Sequence, residues 1–541
     1  MMKRGKLSLA VGALLLAGVA SPAFADPPLY PEDKLLTQPT NIKPVPRGMP
    51  DLTPYWNFDP PKNPLFDLKN LTFSGDMRVR PEVRTNSNFG VSQVQATGRA
   101  AGANDWYVQQ WMRLGINYSL SPDVDFFVQP QWAKNWGAAN NTNGSGAGCS
   151  AAGSICSNDA FNNGQADSLF MRQAYIMVRN LGIQGLSMKA GRQLLVMGDH
   201  RLFGHFDWAN TGFTHDGVTF QYQQPNWEVW TGWLRPMETD FNTFGAQSTS
   251  FGVMPQGAPT SNAAKAGQDS DLFFARLAWK PMAGLAIEPL WVWQRNSAVQ
   301  TSTGAAASEA LAAHANGQSR HTVGARVALR KGMFDGSAEA YHQFGSMDIG
   351  QSGQQTHINA LAIAAEAGVT LSMPWSPRIG VEFNYASGDG DARACNSGNV
   401  AACRGTSNTF ENLYPTNHIV MGYADVMAWR NMVAYSASLQ FLPFDNAANH
   451  FEFRYWNFRK AVNGDCWYRA AQNCYFNASN GSNHLTDEID FIYTLFFKGN
   501  KVAWQTGASY LFAGSFLDKQ AGAGNSAVNQ TWAYTQLHIN F

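Results

Sequence analysis

The chain has 541 residues, a formal net charge of zero and 14% charged residues, well below the ~25% of soluble proteins. Aromatic residues reach 13%, yet after the N-terminus no run of ~18 apolar residues occurs. This balance excludes a basic nucleic-acid binder and a helical membrane bundle, and it suits a chain alternating between lipid and water.

The first segment carries Lys3, Arg4 and Lys6, then an apolar run over 7–20, then Ser21-Pro22-Ala23-Phe24-Ala25. Basic start, short apolar core and small residues at the cleavage positions predict a Sec signal peptide over 1–25. Its apolar run is short of the ~20 residues that span a bilayer. Residues 26–65 are proline-rich, as in Asp26-Pro27-Pro28 and Lys43-Pro44-Val45-Pro46. Proline cannot donate to a ladder, so this stretch predicts an extended periplasmic arm, free to reach a periplasmic partner or the lumen.

From Leu71 the period is two. Leu71, Phe73, Met77, Val79 and Val83 alternate with Thr72, Ser74, Asp76, Arg78, Arg80, Glu82 and Arg84. One apolar and one polar face predict a strand between lipid and water. The pattern recurs near 71–84, 106–119, 124–136, 168–178, 186–196, 213–223, 226–235, 271–280 and 285–295. It continues near 319–330, 336–346, 358–372, 378–388, 429–442, 449–459, 485–497, 502–512 and 531–541. Connections after even strands are short, as at Ser121-Pro122-Asp123, Gln224-Pro225 and Pro374 to Pro377; most after odd strands are long, as at 137–167 and 389–428. Short periplasmic turns alternating with long extracellular loops predict an all-β, 18-stranded antiparallel transmembrane barrel over 66–541, in a Gram-negative outer membrane.

Six cysteines form three close pairs, Cys149/Cys156, Cys395/Cys403 and Cys466/Cys474, all in long loops. In an oxidising compartment they predict three local disulfides, each worth ~2–3 kcal/mol if unstrained. Their spacing matches no zinc pattern. The last strand, Trp532 to Phe541, alternates and ends on Phe. It resembles the terminal signal read by the β-barrel assembly machinery.

Two blocks carry a family resemblance. One is Gly191-Arg192-Gln193, Gly198-Asp199-His200-Arg201-Leu202-Phe203-Gly204, Phe206-Asp207-Trp208-Ala209-Asn210-Thr211-Gly212 and Asp216-Gly217-Val218. The other is Ala386-Ser387-Gly388-Asp389, Thr409 to His418, then Gly422, Asp425, Arg430 and Asn431. From Leu71 to the end the chain resembles the alginate-export family of outer-membrane proteins. The resemblance implies an 18-stranded monomeric pore passing anionic polysaccharide outward; the proline-rich arm and the cysteine pairs are outside its pattern, and no cofactor is expected.

A path for a uronate polymer calls for inward cations, and the planar fork of Arg matches carboxylate. Alternation points Arg78, Arg80, Arg84, Arg113, Arg276, Arg326 and Arg454 inward, and the two blocks add Arg192, Arg201 and Arg430. Asp76, Glu82, Asp125, Glu339, Glu382, Glu452 and Asp490 share the inner face, so cross-strand pairing is the expected role of any single Arg. Asp199, Asp207, Asp389 and Asp391 stand in loops able to fold inward; Asp199/Asp207 or Asp389/Asp391 would suit a calcium ion, although no EF-hand spacing is present. Trp106, Trp132, Trp279, Trp291 and Trp504 fit interface girdles, whereas Trp111, Trp230 and Tyr341 are inward candidates for stacking sugars or aromatic solutes. None of His200, His205, His215, His342 and His418 sits in a Gly-x-Ser-x-Gly or His-Glu-x-x-His context, which argues against an enzyme. The alternative to a polysaccharide channel is an uptake porin for small organic solutes; a hydrolase or an adhesin ranks below both.

Overall fold

The computed structural model describes residues 66–68, 70–91, 105–136, 167–210, 212–237, 270–296, 318–349, 354–390, 406–470, 474–475, 480–497, 501–521 and 526–541. The leader and the arm over 26–65 lie outside them, as do Cys149, Cys156, Asp391, Cys395 and Cys403.

The barrel strands are β1 (Leu71–Thr85), β2 (Asp105–Ser121), β3 (Val124–Trp136), β4 (Asp167–Val178), β5 (Leu186–Gln193) and β6 (His215–Gln224). Then come β7 (Trp227–Met237), β8 (Ser270–Met282), β9 (Leu285–Asn296), β10 (Gln318–Lys331), β11 (Phe334–Ile349) and β12 (Gln354–Thr370). The last are β13 (Arg378–Ala386), β14 (Met432–Phe441), β15 (Asn449–Lys460), β16 (His484–Phe497), β17 (Val502–Ala513) and β18 (Gln530–Asn540). Each pairs antiparallel with its sequence neighbours, and β1 closes on β18 from Asp76↔Asn540 to Thr85↔Thr531. The expected 18-stranded antiparallel barrel is therefore the fold.

Phe541 locks the seam, since its amide donates to the Gly75 carbonyl at 2.8 Å and its carbonyl accepts from the Gly75 amide at 2.7 Å. Closure removes the unpaired edges that a sheet in lipid cannot tolerate. The outer face is apolar and exposed, with Leu114, Phe126, Ile176, Val381, Leu439 and Ile489 among its residues. Trp106, Trp279 and Trp291 are exposed on this face.

Inside, the polar phase is buried rather than open: Arg78, Arg80, Arg113, Arg172 and Arg201 are essentially inaccessible. The reason is two long connections, whose described residues 194–210, 212–214, 387–390 and 406–431 fold into the barrel. Here the strands end earlier than period two predicts. The expected strand over 186–196 stops at Gln193, and that over 429–442 begins at Met432. Leu194, Leu195, Val196 and Met197 are buried in succession and have left the sheet. An apolar run reads alike whether it faces lipid or a packed lumen, so periodicity cannot place this exit.

Candidate pore constriction

The two inward connections bind each other. The Gly204 amide donates to the Tyr414 carbonyl at 2.8 Å, the Tyr414 amide to Leu202 at 2.9 Å, and the Thr416 amide to His200 at 2.9 Å. The Thr416 hydroxyl accepts from the Phe206 amide at 3.0 Å. Trp208 of the first loop stacks flat on His418 of the second, centroids 3.6 Å apart at 6°. Non-glycine residues with positive φ gather here: His200, Phe206, Leu413, Asp425 and Asn431. Each such conformation is disfavoured, so the surrounding contacts must impose it.

Asp207 is the anchor of the first loop. Arg113 grips its carboxylate in a fork, Nη1 to Oδ2 at 2.9 Å and Nη2 to Oδ1 at 2.8 Å. Arg172 adds Nη2 to Oδ1 at 2.6 Å and also donates to the carbonyls of Phe213 and His205. Arg78 and Arg80 donate to the carbonyls of Asp207 and Trp208, and the Arg80 guanidinium lies 3.5 Å over the Trp208 ring. Burial alone would raise the Asp207 pKa, but Arg113 and Arg172 outweigh it and hold the carboxyl far below the usual range. Burial pushes the neighbouring His205 well down, and it does the same to His418, helped by Arg80. Gly212, at φ +67°, lies against the Arg172 guanidinium, which leaves no room for a side chain.

Asp199 and Arg201 fix the other flank. Asp199 accepts from Arg326 at 2.8 Å and from the Ser337 hydroxyl at 3.0 Å. Arg201 bridges Glu339 at 2.6 Å and Glu382 at 2.7 Å, and Arg454 joins Glu382 at 3.0 Å and Glu452 at 2.6 Å. Although burial opposes it, the two glutamates raise the Arg201 pKa.

The second loop has charged and backbone partners of its own. Arg430 pairs with Glu411 of the same loop at 3.3 Å and lies 4.2 Å over the Tyr468 ring. Gln343 exchanges two hydrogen bonds with the Glu411 backbone. The Ala424 carbonyl accepts from Arg84 at 3.0 Å, and its amide donates to Glu488 at 2.8 Å. Asp389 accepts from the Asn408 amide and donates its own amide to Asp465, both at 2.9 Å, so it ties two loops together.

Of the residues expected to line a path, Arg78, Arg80, Arg113, Arg201, Arg454, Asp199 and Asp207 thus meet around the inward loops. Arg192 does not join them. It is on the outer phase of β5, opposite the buried Lys189 and Gln193, and pairs with Asp216 at 2.7 Å. Asp199 and Asp207, weighed as a calcium pair, are each paired with guanidinium groups, Asp199 with Arg326 and Asp207 with Arg113 and Arg172. Trp111, a stacking candidate, is covered by the Arg78 and Arg113 guanidiniums at 3.5 and 4.0 Å. Sequence reasoning missed Arg172, whose inward phase is obscured by the register shift at Gln129/Pro130 opposite it. It also missed the Trp208–His418 stack; both residues stand in the family blocks, the one signal that singled them out.

Cys466 is disulfide-bonded. The short hairpin of Trp467–Tyr468 with Cys474–Tyr475 sets Tyr468 opposite Cys474, the expected partner of Cys466.

The family model for alginate export matches residues 69–531, which take in the barrel strands from β1 through β17 and the described parts of both inward connections. The chain belongs to the alginate-export family. Solved structures from Pseudomonas aeruginosa are similar to this chain. OpdK, determined with vanillate, is 10% identical, with a TM-score of 0.50 over 87% of this chain and 99% of that one. OpdQ is 11% identical, with a TM-score of 0.48 over 87% and 98%. OccK5 (OpdH) is 8% identical, with a TM-score of 0.47 over 87% and 98%. At such identity the OpdK likeness speaks to fold alone. No curated protein sequence matches the chain. Family and fold together make this alginate-export protein an outer-membrane channel of Gram-negative type and not an enzyme.

Proposed function

We propose that this channel passes anionic polysaccharide or oligosaccharide, and that its cargo takes the place of the loop carboxylates in the lumen. The supporting observation is the Asp207 carboxylate, gripped by Arg113 and Arg172 with Arg78 and Arg80 on the adjoining carbonyls. A uronate carboxylate has the same planar acceptor geometry, so the cradle that holds the loop also suits the cargo. Arg201 and Arg454, with Glu339, Glu382 and Glu452 between them, give the opposite flank alternating charge. Cargo would enter when the interlocked loops move aside. The remaining expectations complete the reading: a monomer, assembled through its terminal strand by the β-barrel machinery, with residues 26–65 facing a periplasmic partner.

Single-channel recording in planar bilayers tests this. Anion selectivity is expected, with blockade by oligouronates but not by neutral oligosaccharides of equal length. Arg113→Gln and Arg172→Gln should weaken the blockade, and Arg192→Gln should leave it intact. Conductance with neither anion preference nor blockade would sink the proposal in favour of an uptake porin for small organic solutes.

A further inference from the structure

The outer face carries a feature that transport does not use. Arg192 on β5, Asp216 on β6, Arg235 on β7, Asp271 on β8 and Arg295 on β9 form a row across five neighbouring strands. The register pairs Arg192↔Asp216, Asp216↔Arg235 and Asp271↔Arg295. Ion pairs join Arg192 to Asp216 at 2.7 Å and Arg235 to Asp271 at 3.2 Å. All are on the outward phase, for the alternate residues Gln193, Leu234, Leu272 and Gln294 are buried inside. Side-chain exposure is 31% for Arg192, 45% for Asp216, 28% for Arg235 and 21% for Asp271, and Arg295 is exposed.

The height of the row follows from the strands. Near the periplasmic ends, Tyr222, Trp227 and Trp279 form an aromatic cluster, with Trp227↔Trp279 in register and the Tyr222 and Trp227 rings 5.4 Å apart. Asp271 precedes Trp279, and Arg235 follows Trp227, by about eight residues, which is ~27 Å of strand. At a tilt of ~40° this is ~20 Å of height, close to the ~25 Å apolar band of such barrels. Mostly apolar outward side chains fill the interval, including Val229, Trp233, Phe273 and Leu277. The row therefore sits at the headgroup boundary of the outer leaflet, where arginine toward lipid costs ~0–1 kcal/mol against ~2–4 at the midplane.

Its make-up points to an anionic headgroup. Three arginines face two aspartates, which leaves one positive charge in excess. The Trp233 indole donates to Asp271 at 2.9 Å and the Arg235 guanidinium lies 5.5 Å from the same ring, so the row is held in place at its centre. The guanidiniums recur on every second strand, ~10 Å apart, each with a planar fork suited to phosphate. Elsewhere on the described outer face an extracellular-end arginine occurs singly, as at Arg459.

We propose that the Arg192–Asp216–Arg235–Asp271–Arg295 row is a docking site for the phosphates of the outer-leaflet glycolipid. Full-length channel in detergent, titrated with bisphosphorylated lipid A and followed by native mass spectrometry, tests it. Binding by the wild type is expected to fall by at least about tenfold in Arg192→Gln/Arg235→Gln/Arg295→Gln, the weight of one charge-assisted hydrogen bond. Enzymatically dephosphorylated lipid should bind both proteins equally weakly, and Arg459→Gln should bind as the wild type does. Arg295→Gln alone, which breaks neither ion pair, keeps the test open should the triple variant misfold, and it should lower affinity measurably. Equal binding by the wild type and these variants overturns the proposal. So does undiminished binding of dephosphorylated lipid, or a wild-type dimer that the triple variant abolishes, which would make the row a contact between copies of the chain.

Discussion

Asp207 shows what one carboxylate does when a barrel lumen is packed. Its partners Arg113 and Arg172 belong to strands β2 and β4, so the loop is held by the wall itself. Asp207→Asn keeps the shape but leaves two buried cations without their anion, at a cost of ~3 kcal/mol or more. This shifts the docked-to-undocked ratio of the loop by over a hundredfold, and single-channel conductance should rise or turn noisy; unchanged traces would remove Asp207 as the anchor. The pH dependence has a definite sign. The docked pKa is depressed, so the stabilisation is fully present above the undocked value, ~3.9, and is lost only as pH falls through the depressed one. The conductance difference between wild type and Asp207→Asn should therefore keep its size from pH 7 down to pH 4. A difference collapsing near pH 5 would mean that Asp207 is not ion-paired as described.

At the scale of elements, the two inward loops act as one body, because backbone hydrogen bonds join 200–204 to 414–416. Tyr414→Pro removes the amide that donates to Leu202 and the phenol ring that stacks on Phe203, while the barrel strands keep all their pairs. Conductance should increase with the heat-modifiable gel shift of the folded barrel unchanged. Loss of the gel shift as well would show that the loops are needed to build the barrel. These loops also show what period two misses. The alternation of β1 placed Asp76, Arg78, Arg80, Glu82 and Arg84 inside correctly, but it could not tell a watery lumen from one packed by Trp208 and Phe203. Those contacts join residues far apart in sequence, and nothing local encodes them.

At the scale of the molecule, closure depends on the seam between β1 and β18. Removing Phe541 deletes two hydrogen bonds to Gly75, worth ~2 kcal/mol together, and the ring that packs beside that glycine. The folded fraction on an unheated gel should drop, and an equal fraction would show that the seam closes without it. The whole barrel also separates two uses of arginine. Inside, Arg113, Arg201 and Arg454 are buried and paired; outside, Arg192, Arg235 and Arg295 meet the outer-leaflet boundary. Arg192 was expected among the pore residues because it stands in a family block, yet its strand phase puts it outside.

The sequence by itself determined the barrel, its strand number, its turns and the inward phase of regular strands such as β1, because a strand's two faces alternate and lipid and water sort residues locally. It also marked both inward loops through the blocks from Gly191 to Val218 and from Ala386 to Asn431. Only the tertiary structure decided that these loops interlock, that Asp207 anchors the first of them to the wall, and that Arg192 points away from the lumen. Pairing of charges depends on distances between residues far apart in the chain, as in Arg113 with Asp207 or Arg201 with Glu382. Such distances are set when the sheet closes and the loops pack, and no local pattern records them.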